Sequence, residues 1–84
     1  MRTQQDLFTV MYAMEYDGWV KIPPTHVELG FLSSYMRGTY EINITSPIYY
    51  NLVRILDKNK KVVFFDYIRS LYDYNKMKKK LGWK

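Results

Sequence analysis

No cysteine occurs among the 84 residues. That excludes disulfides and thiolate metal sites and fits a reducing interior. Histidine is nearly missing too. His26 stands alone, with Glu28 the one carboxylate close to it in sequence, so it reads as a surface residue at a helix start rather than a general base. No His, Asp and Glu cluster has metal-ligand spacing, and no glycine-rich loop could cradle a phosphate, so neither metal nor other cofactor is expected. Long hydrophobic runs are also absent. The apolar stretch near the N-terminus is too short and too mixed for a signal peptide, and none approaches the length that spans a bilayer. A soluble, cytoplasmic protein without a membrane partner is expected, in the host cytoplasm if the source is viral. There is no internal repeat, and the one low-complexity patch is the lysine cluster Lys76, Lys78, Lys79, Lys80.

What is present fits one domain spanning 1–84, with no room for a second core and a linker. Hydrophobic residues make up 48% and charged residues 25%, the balance of a globular chain. Aromatics reach 18%, and nine of them are tyrosines. Tyrosine joins an apolar body to a polar tip and suits half-exposed surfaces that touch protein or bases. The net charge of +5 is unevenly spread. Residues 1–50 carry three basic and five acidic side chains, a balance of −2; residues 51–84 carry ten and three, a balance of +7. A basic half is the electrostatic footprint of a nucleic-acid or anionic contact, against the plainer reading of a solvated lysine-rich helix end.

Asp17-Gly18, between two apolar and aromatic runs, is a two-residue turn signal. It predicts strands over 8–16 and 19–22. Leu7, Val10, Met11 and Met14 offer a competing helical face, but the turn decides for the strand. Pro23-Pro24 ends the second strand. Thr25 with Glu28 forms a capping box, predicting a helix over 26–36 that buries Val27, Phe31, Leu32, Tyr35 and Met36 and stops at Gly38. Alternation over 40–45 predicts a strand, and Ser46-Pro47 opens a helix over 47–56. A charged loop at 57–61 and an apolar strand at 62–65 follow. Asp66 caps a last helix over 67–81, ended by Gly82. The order ββαβαβα predicts an α+β fold, a small sheet started by an N-terminal β-hairpin with helices packed on it.

Across residues 7–68 this pattern resembles the GIY-YIG nuclease superfamily. Val10-Met11-Tyr12 takes the place of its first motif and Lys21-Ile22-Pro23 that of its second, and 31–42 is similar to its arginine-bearing helix and following strand. The resemblance implies that Tyr12 is a vestigial active-site residue. Lys21 stands where the second tyrosine belongs, Pro23 at the motif glycine and Phe31 at the catalytic arginine, while 47–56 has no carboxylate to hold a metal. Phosphodiester hydrolysis by that route needs the missing groups. The implied domain is therefore a degenerate, non-catalytic one.

Basic residues interleaved with aromatics carry the functional expectation. Lys58, Lys60 and Lys61 share a loop, and Arg69, Lys76, Lys78, Lys79, Lys80 and Lys84 lie on or after the last helix, with Tyr67, Tyr74 and Trp83 among them. The cations would neutralise phosphates and the rings would stack on unpaired bases. The leading expectation is a small accessory protein, of viral or mobile-element kind, that binds nucleic acid, RNA or single strands preferred. The alternative is an inhibitor or antitoxin that occupies a host enzyme or toxin, and the third is a residual nuclease. Homodimerisation would suit the first two.

Overall fold

The computed structural model describes residues 4–45 and 52–83. The α+β class is as expected: five antiparallel strands in the order β1-β2-β3-β4-β5 form a meander, and two helices pack on it. Helix α1 (Gln4–Tyr16) is followed by β1 (Val20–Ile22), a 3₁₀ turn at Val27–Leu29, and strands β2 (Phe31–Arg37), β3 (Tyr40–Thr45), β4 (Leu52–Leu56) and β5 (Val62–Tyr67). Helix α2 (Leu71–Lys80) closes the fold.

Four local assignments differ from the sequence reading. Residues 8–16, read as a strand, belong to α1. Gly18, at φ 94°, does not turn a hairpin there but ends the helix in a Schellman motif. Trp19 N–H donates to the Met14 carbonyl at 3.0 Å, and Gly18 N–H to that of Glu15 at 3.1 Å. Both patterns want a glycine with positive φ; the buried Met14 and Trp19 side chains mark the helical one. The helix expected over 26–36 is only the 3₁₀ turn, because Gly30 at φ 89° breaks it and Phe31 opens β2. Gly38, at φ 62°, turns the tight Arg37-to-Tyr40 connection between β2 and β3. Of the helix expected over 47–56, residues 46–51 with their Ser46-Pro47 start lie outside the described residues, and Leu52–Leu56 is strand β4. The sequence assignments for β3 and for the 57–61 loop coincide with the structure, and β5 starts at Val62 as expected but runs on to Tyr67, two residues past the expected end. Helix α2 starts at Leu71, capped by Ser70 rather than Asp66: Asp73 N–H donates to Ser70 Oγ at 3.5 Å.

Alternation divides the sheet into two unlike faces. Tyr35, Ile42, Val53, Ile55 and Phe64 point to the helices and form the core with Val10 and Met14 of α1 and Tyr74 and Met77 of α2. Among the described residues the opposite face carries neither α1 nor α2. Its β2–β3 half is covered by the 23–30 segment, which Thr25 fastens down: its hydroxyl donates to Glu41 Oε2 at 2.7 Å, and its N–H to Ser34 Oγ at 3.3 Å.

The two helix ends form a clasp. Helix α2 ends as α1 does, with Trp83 N–H donating to the Lys78 carbonyl at 2.8 Å and Gly82, at φ 79°, donating to that of Lys79. Each Schellman glycine thus precedes a tryptophan, and the Trp19 and Trp83 rings meet at 5.6 Å. Tyr40 packs edge-on against Trp83 at 5.0 Å, and the Arg37 guanidinium lies 4.4 Å from the same ring. Asp17 joins the helices, its carboxylate accepting from Tyr74 Oη at 2.6 Å and from Lys78 Nζ at 2.9 Å.

Candidate nucleic-acid interface

The β4–β5 half of the helix-free face is built by a row across the sheet. Ser34, Asn43, Arg54 and Phe65 stand opposite one another on β2, β3, β4 and β5, and therefore point the same way. Ser34 and Asn43 are fully buried under the 23–30 segment, Arg54 is half-buried, and Phe65 is 58% exposed. Tyr67, two residues along β5, lies on the same face, with the Arg69 guanidinium 4.8 Å from its ring. The Arg54 guanidinium lies 4.7 Å from the Phe31 ring.

Cations border this row at the hairpin between β4 and β5. Asp57 Oδ1 accepts from the N–H groups of Asn59 at 2.8 Å and Lys61 at 3.0 Å, which shapes the loop and displays Lys58 and Lys61 to solvent. Lys60 holds a positive φ of 64°, a conformation that costs a lysine about 1–2 kcal/mol. Its ammonium reaches back to Glu41 Oε1 at 3.3 Å. Burial alone would raise the Glu41 carboxyl, but hydrogen bonds from Thr25 and Lys60 and the Lys60 charge outweigh it and hold its pKa below the ordinary value. His26 belongs to this cluster rather than to an open helix start: its Nδ1 is 2.9 Å from Thr25 Oγ1 and 3.7 Å from Glu41 Oε2.

A second basic zone lies on the outer surface of α2. Tyr72 is 69% exposed with Lys76 Nζ 5.6 Å from its ring, and Lys79 and Lys80 are exposed beside it. The zones meet along β5, the outer strand: Lys80 Nζ lies 5.9 Å from Phe64 on the helix side, while Phe65 and Tyr67 face the other way.

The candidate residues from sequence therefore divide. Lys58, Lys61, Arg69, Lys76, Lys79 and Lys80 are exposed. Lys60 is exposed but ion-paired. Tyr74 is a correction: at 1% exposure its ring is not open to a base. Trp83 is half-buried, packed in the clasp and lining a surface groove with Tyr72, Lys76 and Lys79. Lys78 is a correction too: only 16% of its side chain is exposed, and it serves Asp17. Burial would raise the Asp17 carboxyl, yet Lys78 and Tyr74 hold its pKa below the ordinary value, while burial and Asp17 push the Tyr74 hydroxyl upward. Lys84 lies outside the described residues. Tyr12, placed by resemblance on a motif strand, is an exposed residue of α1, and Val10-Met11-Tyr12 is helical. Tyr67 is exposed as the sequence suggests, whereas Phe65, Tyr72 and Arg54 do not stand out in the sequence. Phe65 sits in a uniformly apolar run, Arg54 falls in a segment that reads as helix, and Tyr72 reads as part of the inner face of the last helix.

Among the described residues no group of three or more His, Asp and Glu could hold a metal ion, and no helix is long and apolar enough to cross a membrane. No family model, no curated protein and no solved structure matches the chain, so no GIY-YIG resemblance is shown.

Proposed function

We propose that this domain is a non-catalytic binder of single-stranded nucleic acid, RNA preferred, and that the strand lies across the β4–β5 half of the helix-free face. The observation that carries the reading is Phe65: a large ring left 58% exposed on a sheet face, next to Arg54 in register and to Tyr67 along its own strand. Open sheet faces with neighbouring aromatics suit bases that have come out of a duplex, because every base has a face to stack. Lys58, Lys61 and Arg69 border the row and would neutralise phosphates, and Lys76, Lys79 and Lys80 continue the basic surface around β5.

Binding of short single-stranded and duplex RNA and DNA, measured across a range of salt, tests the proposal. Single strands should bind most tightly, with affinity falling steeply as salt rises. Phe65→Ala should weaken binding about 5-fold to 100-fold, the usual value of one stacked base. Affinity that is absent at low salt, or indifferent to salt, would sink the reading. A complex with a single protein that survives nuclease would redirect it to inhibition.

A further inference from the structure

The row that ends in Phe65 has a second property. Arg54 Nε and Nη2 and Asn43 Nδ2 are buried, and none of them has a hydrogen-bond acceptor among the described residues. Nε and Nη2 form the lateral fork of a guanidinium, the edge that grips an oxyanion through two parallel N–H···O bonds. Asn43 faces Arg54 directly across β3 and β4, which puts their Cβ atoms about 5 Å apart. The orientation of the Asn43 amide is set, since Oδ1 accepts from Ser34 Oγ at 2.8 Å and lies 3.1 Å from Thr25 Oγ1. Nδ2 therefore points away from those hydroxyls. Glu41, two residues along β3, is not hydrogen-bonded to Nδ2; its Oε2 accepts from Thr25 and its Oε1 from Lys60. Buried donors left without acceptors are rare because their desolvation goes uncompensated.

We propose that Arg54 and Asn43 bind a terminal phosphate of a nucleic-acid strand, whose first base stacks on Phe65. The inference rests on the nucleic-acid reading above. A phosphate suits the site better than a carboxylate because a third donor beside the fork matches a third oxygen. Phe65 stands beside Arg54 in the row, on the adjacent strand and the same face. The fork atoms are buried, so a phosphodiester with chain on both sides is poorly placed to reach them. A phosphate monoester at a strand end enters with one ester link and presents its remaining oxygens.

The test compares short RNA strands carrying a 5′-phosphate, a 3′-phosphate or two hydroxyl ends, bound to the full chain and to its Arg54→Met and Arg54→Lys variants. One phosphorylated end should bind about tenfold or more tighter than the hydroxyl-ended strand. Arg54→Met should lose that preference while staying folded, because it removes a buried charge without leaving a void. Arg54→Lys keeps the charge but not the fork and should lose it as well, which carries the test if the methionine variant unfolds. Equal affinity for all three strands overturns the terminal-phosphate site and leaves the nucleic-acid reading standing. No binding of any strand overturns both. A preference that persists in the folded variants also overturns the assignment, since the phosphate then sits elsewhere.

Discussion

At the scale of single residues, the basic half of the chain divides by what each cation touches. Lys78 and its neighbours Lys79 and Lys80 look alike in sequence, yet Lys78 is tied to Asp17 at 2.9 Å while the other two are exposed. Lys78→Glu would set two carboxylates against each other and should cost about 2–3 kcal/mol of stability by urea unfolding. Lys79→Glu and Lys80→Glu should each stay within about 0.5 kcal/mol of the parent, and together weaken nucleic-acid binding and flatten its salt slope. Asp17→Ala should match the loss in Lys78→Glu, because it leaves a half-buried ammonium and the Tyr74 hydroxyl unpaired. Phe65→Ala provides the contrast: its ring is largely outside the core, so binding should fall with little change in stability.

At the scale of elements, glycine position decides conformations that composition leaves open. Gly18 and Gly82 sit at φ 94° and 79° with nothing within 4 Å of where a Cβ would stand, so the cost of adding one is conformational rather than steric. Gly18→Ala and Gly82→Ala should each lower stability by about 1 kcal/mol, read as a fall in melting temperature. These glycines also explain how much of the fold was legible. Strand β3 follows from alternation, the start of β5 from its apolar run, and the lysine-rich end of α2 from charge and the Gly82 stop. Helix α1 was misread because Asp17-Gly18 satisfies both a hairpin and a helix end, and only the Met14–Trp19 contact across the motif separates them. Strands β2 and β4 were misread as helices because short apolar runs such as 52–56 fit either period, and pairing with β3 settles them. The site suffered most from this. Arg54 becomes a neighbour of Phe65 only once β4 pairs with β5.

At the scale of the whole molecule, two acidic groups and a phenol set the pH limits of stability. Asp17 and Glu41 titrate below their unfolded values of 3.8 and 4.5 in the folded chain. Their contribution is complete above those values and is lost as pH falls through the lowered folded-state pKa of each, because the unfolded chain then binds protons more readily. Tyr74 works in the opposite sense. Its hydroxyl titrates above the ordinary 10.0 in the folded state, so its contribution is complete below that pH and is lost as pH rises past it. Melting temperature against pH should therefore fall at both ends, with Asp17→Asn flattening the acid limb.

The clasp of Trp19 on Trp83 also orders events in time during synthesis. Asp17 waits for partners 57 and 61 positions later in the chain, and the ring against Trp19 arrives later still. A ribosome delivers the meander before α2, so the emerging sheet has its helix-facing side only partly covered until the second Gly-Trp end is released. Completion of the core is thus tied to the last turn of the last helix, and chains halted before Gly82 should be the ones that proteases and chaperones capture.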